Sequence, residues 1–161
     1  MEIEQQVEQE LLKLYSGTGD KSAEQNLLNY QSNPHFWPNS LNLLTANSPN
    51  TQFFGAQSLY NTLLKDWAKL DEESLCQIQS RIAQLLSWPS FNPPQFVRHK
   101  LCSVLAIYTI KQLPKEPKGI EVFCGTFLEN RDQTNNLFLV LQYLTAIPEE
   151  LEKYCFVAIN R

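Results

Sequence analysis

The side chains best suited to chemistry in this sequence are scattered. Its two histidines, His35 and His99, stand alone, without Cys, Asp or Glu at the spacings that build a metal site. His35 sits beside Phe36 and Trp37 and is expected to be a packed or half-exposed ring. Four cysteines, Cys76, Cys102, Cys124 and Cys155, have no close spacing. Three fall inside apolar helical patterns, where a thiol behaves as a small hydrophobe. All four read as reduced core residues of a cytosolic or nuclear protein rather than as disulfides. Among the five glycines only Gly17 and Gly19 are close together, and Gly17-Thr18-Gly19 lacks the Lys-Ser/Thr and the preceding strand of a phosphate loop. Glu72-Glu73 and Glu149-Glu150 follow Asp71 and Pro148 at helix starts, where acids favour the helix dipole. No serine has His and Asp companions in its sequence context. The expectation is a binding protein, with no catalytic residue, no metal and no cofactor.

Two polar groups are better placed to meet a partner. Gln57, Asn61 and Lys65 recur at four-residue steps and so project from one stripe of a helix. Arg98, His99 and Lys100 form a basic cluster at the start of another. For each group two readings stand: an ordinary solvated face or helix-start cluster, or a contact with a partner protein.

The stripe belongs to the stretch around which the chain is organised, Ser48 to Leu70. Ser-Pro opens it, with Asn50 as the expected N-cap. Phe53, Phe54, Ala56, Leu59, Tyr60, Leu63, Leu64 and Trp67 then recur at the three-and-four spacing of an amphipathic helix over about 50–69. Thr51, Gln52, Ser58, Asn61, Thr62, Lys65 and Lys69 fall on the opposite face. So broad an apolar stripe requires neighbours on both flanks.

The rest of the chain supplies helices in the same way. Glu2 to Tyr15 carries Ile3, Val7, Leu11, Leu12 and Leu14; about Lys21 to Gln31 carries Ala23, Leu27, Leu28 and Tyr30 and ends at Asn33-Pro34. A short helix over about 36–46 precedes the central one. Leu75, Ile78, Ile82, Leu85 and Leu86 phase a helix from Asp71 to Trp88. Pro93-Pro94 opens another to about Gln112, apolar almost all round and therefore packed on more than one side. Helices over 119–130, around Val122, Phe123 and Phe127, and 134–146, around Leu137, Phe138, Leu141 and Leu144, follow. Ile147-Pro148 begins a further segment. Period-two alternation is absent, so no strand is expected.

Paired, these helices form units starting near residues 2, 36, 72 and 117, at intervals of 34, 36 and 45 residues. That is the sequence sign of an α-solenoid, with a compact non-repeating bundle as the alternative. The reading is all-α: about four HEAT-like antiparallel helix pairs over 2–31, 36–69, 72–112 and 117–147, with a further unit starting at 148–161. The chain has 161 residues, 43% hydrophobic, with net charge −4 and a pI of about 5.2. Without a basic block, nucleic-acid binding is not expected. The acidic, polar N-terminus is no secretory signal, and no run reaches the ~18 apolar residues of a membrane span.

At SPNTQFFGAQSLYNTLLKDW the sequence resembles the N-terminal region of β-karyopherins, the importin-β superfamily of nuclear transport receptors. A helix there reads roughly F-x-A-x-x-L-x-N, matched by Phe53/Phe54, Ala56, Leu59 and Asn61. LFLVLQYLTAIPEELEKY, at Leu137 to Tyr154, and FVRHKLCSVLAIYTI resemble segments of the branch containing transportin-SR and the bidirectional importins. The resemblance implies binding of the small GTPase Ran in its GTP form by the inner helices of the first repeats, here about 21–31, 50–69, 93–112 and 134–146. Gln57, Asn61, Lys65 and Arg98 are the contact residues it implies, although Tyr60 stands where many relatives place a Lys. It also implies protein cargo, nucleoporin contacts, and residence in nucleus and cytoplasm. The alternative is a helical-repeat scaffold or adaptor with no GTPase partner. The apolar finish at Tyr154, Cys155, Phe156, Val157 and Ile159 predicts a piece of a longer receptor, with an exposed apolar end that associates.

Overall fold

The computed structural model describes residues 2–16, 21–129 and 133–159, without the side chains of 133–135 and 154–159. The expected apolar end at Tyr154–Ile159 and the Cys155 thiol lie outside the described side chains. Among the described residues the structure is all-α, of helical-repeat type, with no strand. Among those residues no helix is long and apolar enough to cross a membrane. The chain divides into two compact units, 1–74 and 75–161.

The first unit contains α1 (Glu2–Tyr15), α2 (Lys21–Ser32), a 3₁₀ turn at Pro34–Phe36, α3 (Trp37–Leu43), α4 (Pro49–Lys65) and a second 3₁₀ turn at Trp67–Lys69. α1 packs on α2 and α3 on α4, and α1 and α2 both touch α4. Val7, Leu11, Leu27, Phe36, Leu43 and Phe54 form the core that joins them, and Tyr30 stacks on Phe36 with ring centroids 5.1 Å apart. α3 and α4 meet at Gly55. A Cβ there would lie 2.7 Å from the Ser40 carbonyl oxygen and 2.9 Å from the Leu43 Cβ, so the close crossing requires a residue without a side chain.

Three expectations for this unit are corrected. The N-cap of α4 is Ser48, not Asn50: its hydroxyl accepts from the Thr51 N–H at 3.4 Å, and Pro49 takes the first helical position, where its missing N–H costs nothing. α4 stops at Lys65 rather than Lys69, and the chain turns into 3₁₀ from Asp66. Thr51, Ser58 and Thr62, assigned to the wet face, are buried. Ser58 and Thr62 tolerate burial because their hydroxyls donate back to the carbonyls of Phe54 (2.8 Å) and Ser58 (3.0 Å), which satisfies them within the helix.

α5 (Glu72–Ser87) begins at the unit border. Asp71 caps it, accepting from the Ser74 N–H at 2.7 Å, and the hydrogen bonds from Ser74 hold the Asp71 carboxyl below its ordinary pKa. The second unit continues with α6 (Gln95–Gln112), α7 (Gly119–Leu128) and α8 (Gln133–Ile159). α8 lies along α6 and also packs on α7. As its all-round apolarity predicts, α6 is buried around most of its circumference. Phe123, Phe127 and Tyr143 form an aromatic cluster between α7 and α8.

α8 departs most from expectation. It does not end at Ala146; it runs through Pro148. Proline removes one backbone donor and crowds the carbonyl four residues earlier. Here the buried phase of Leu139, Val140, Tyr143, Ala146 and Ile147 continues past it to Glu150, so packing holds the helix together. The four anchors expected for this helix, Leu137, Phe138, Leu141 and Leu144, are all exposed, as are Leu12, Leu28 and Val122 on other helices. Cys76 is likewise exposed rather than in the core, whereas Cys102 is buried.

Candidate functional site

In the first unit, Gln57 donates through Nε2 to Asn61 Oδ1 at 3.0 Å. Asn61 Nδ2 donates to Gln31 Oε1 at 3.5 Å, linking α4 to the last turn of α2. The three amides form a ladder, half-buried at each step. A primary amide has two donors and two acceptor lone pairs, so the ladder leaves acceptor capacity on Gln57 and donor capacity on Gln31 and Asn61. Lys65 continues the stripe by one more four-residue step and is exposed. It also lies in the last turn of α4, where a cation complements the helix dipole.

Next to the ladder is a shallow notch of about 210 Å³ in the wall formed by α1, α2 and α4. Leu11, Leu14, Leu27, Leu28, Phe53 and Phe54 make it apolar, and Glu24, Gln31 and Gln57 make its polar portion. Apolar side chains beside hydrogen-bonding amides, with a cation at one end, are the elements of a protein-binding surface. They offer no nucleophile or acid–base pair. Tyr60 is buried in α4, so it is absent from this face and leaves the charge to Lys65. Sequence reasoning missed Gln31 and Leu28 as members of the face. Only the pairing of α2 with α4 brings them to Gln57, and a single-helix pattern carries no signal of that.

Arg98 belongs to the other unit and is engaged internally. Its guanidinium donates to Asn92 Oδ1 at 2.8 Å and to the Pro93 carbonyl at 3.3 Å, closing the loop before α6. The rest of that basic cluster faces α8. His99 lies 3.8 Å from Glu149. Lys100 is half-buried: burial lowers its pKa, and the Glu150 carboxylate opposes that. Glu150, 1% exposed, is itself paired with Lys153 at 2.9 Å.

The second unit has a larger concavity, about 750 Å³, walled by Cys76, Gln79 and Ala83 of α5, Leu105 and Tyr108 of α6, and Val122, Phe123 and Phe127 of α7. Burial pushes the Cys102 thiol in α6 up to about 12, with Arg98 opposing. It also raises the pKa of the Cys124 thiol. Neither cysteine is set up as a nucleophile.

Residues 23–87 match the family model of the importin-beta N-terminal domain. The match runs from Ala23 in α2 to Ser87, the last residue of α5, and takes in the whole of α4 with its amide ladder. No curated protein and no solved structure matches the chain. Over residues 23–87 the chain is therefore similar to the N-terminal domain of the importin-β superfamily, the family its sequence resembles.

Proposed function

We propose that this chain acts as part of a nuclear transport receptor. In this reading the α4 face, Phe53, Gln57, Asn61 and Lys65 with Gln31 and Leu28 of α2, binds the small GTPase Ran in its GTP form. That binding supports movement of protein cargo between cytoplasm and nucleus. The observation that carries the reading is the coincidence of the family match with this face: every residue named lies within 23–87. The chemistry supports it. The amides are pre-aligned by their own hydrogen bonds, so less conformational entropy is lost when a partner docks. Lys65 offers an unburied cation to an acidic partner surface, which acts mainly on encounter rate and specificity. Arg98 is assigned a lesser part, because it is already bonded to Asn92 and the Pro93 carbonyl.

A retention assay with immobilised Ran tests this. The chain is expected to be held by Ran locked with GTP and released by the GDP form. Lys65→Glu should weaken retention while leaving the helical spectrum unchanged. Equal retention of both nucleotide states would contradict the reading.

A further inference from the structure

α8 carries a second apolar stripe that its own unit does not cover. Leu137, Leu141, Leu144, Pro148 and Leu151 follow at steps of four, three, four and three residues, the seam spacing of a helix that packs along another helix. The four leucines are 50, 52, 40 and 36% exposed, and Phe138 beside them is 48% exposed. The adjoining side of the helix, through Leu139, Val140, Tyr143, Ala146, Ile147 and Glu150, is buried in the second unit. We propose that this seam is a self-association surface, paired with α8 of a second copy in antiparallel orientation.

Symmetry and charge favour a second copy in that orientation. The seam is centred on Leu144, so reversing it lays Leu144 on Leu144, Leu137 on Leu151 and Leu141 next to Pro148. A two-fold interface requires such self-complementarity. From Leu137 to Pro148 the sequence has no charged residue, so two copies meet there without like-charge repulsion. Glu152, just beyond, decides the direction. In a parallel pair the two copies of Glu152 would lie at the same end. In an antiparallel pair each falls beside Asn136, in the first turn of the other α8, where the helix dipole favours an acid.

Area sets the strength. With a large apolar side chain taken as about 150–250 Å², the five exposed side chains leave roughly 400 Å² in water per copy. This lies within the roughly 300–600 Å² of the largest patch on a typical monomer. It is also about half of the roughly 800 Å² each partner contributes to a standard interface. The association is therefore weak and reversible, with a dissociation constant of about micromolar or above.

Sedimentation velocity on the full chain from about 1 to 300 μM tests the proposal. A reversible monomer–dimer equilibrium is expected. L141E/L144E should weaken it at least about tenfold, and the milder Leu141→Gln should weaken it less. Circular dichroism should be unchanged in both, since the side chains are exposed. Leu12→Glu, at an exposed position on α1, should leave the equilibrium as it is. On oxidation Leu144→Cys should give a covalent dimer above the wild-type background, and Leu137→Cys should not. A chain that stays monomeric throughout, or a dimer indifferent to L141E/L144E, would overturn the proposal. Cross-linking of Leu137→Cys as efficient as that of Leu144→Cys would overturn the antiparallel arrangement.

Discussion

α4 and α8 both carry leucines and aromatics at helical spacing, and each reads in the sequence as a helix with an apolar stripe to bury. In the structure they have opposite fates. α4 buries Phe54, Ala56, Leu59, Tyr60 and Leu63, and even the hydroxyls of Ser58 and Thr62, so the stripe it leaves open is led by polar groups, half-buried Gln57 and Asn61 and exposed Lys65, with half-buried Phe53 beside them. α8 buries one apolar face and leaves another in water. Apolar periodicity thus shows how many faces want covering, and only tertiary pairing decides how many are covered. A helix whose apolar faces are satisfied presents polar groups to a partner. One that keeps a bare seam presents the seam.

Several substitutions put that contrast at risk. The largest effect is expected at Leu59, fully buried in α4. Leu59→Ala should cost about 2–5 kcal/mol through lost contacts and a residual cavity. The matched change on α8, Leu141→Ala, should cost less than about 0.5 kcal/mol. Chemical denaturation of both variants checks the difference, and equal costs would show that the α8 seam is covered in solution. Next comes Gly55→Ala, which drives a methyl against the Ser40 carbonyl and Leu43 and should cost about 1–3 kcal/mol, with α3 displaced from α4 in hydrogen exchange.

Glu150→Ala sharpens the comparison from the buried side of α8. Lys153 is largely exposed and can return to water, whereas half-buried Lys100 loses its countercharge. The expected cost is about 1–3 kcal/mol, with increased exchange where α8 meets α6. Smallest is Tyr143→Phe. It deletes the 2.7 Å hydrogen bond between the Tyr143 and Thr109 hydroxyls, while Thr109 can still donate to the Leu105 carbonyl at 3.0 Å. About 0.5–1.5 kcal/mol is expected.

The same tyrosine makes a pH prediction. Burial raises the Tyr143 phenol to about 12 from its ordinary 10.0, although the Thr109 hydrogen bond opposes the shift. Between those values the folded state holds a proton that the unfolded state releases. The stabilisation is complete below pH 10 and is lost as pH rises toward 12. Tyr143→Phe should flatten the fall in stability over that window, read from melting temperatures at successive pH values.

Much of the fold was legible in the sequence because helix phase and punctuation are local. Pro49, Pro93-Pro94 and Asn33-Pro34 mark real boundaries, and Leu75, Ile78, Ile82 and Leu85 form the buried face of α5. What was not legible depends on neighbours. Thr62 looks polar until its hydroxyl is seen bonded to Ser58. Leu137 looks like core until α6 and α7 are seen occupying the other side of α8. Pro148 looks like a helix start because local propensity cannot weigh the packing of Tyr143, Ile147 and Glu150 that carries the helix through it. For the candidate face, the i, i+4 rule found Gln57, Asn61 and Lys65. It could not find Gln31, which reaches the ladder across 30 residues of sequence.

The central claim is that the α4 face meets Ran in its GTP form, and hydrogen exchange on the mixed proteins tests it most directly. GTP-loaded Ran is expected to slow exchange in α4 from Phe53 to Lys65 and in α2 near Gln31, with GDP-loaded Ran producing no such footprint. Protection confined to other helices, or a footprint that ignores the nucleotide, would contradict the account.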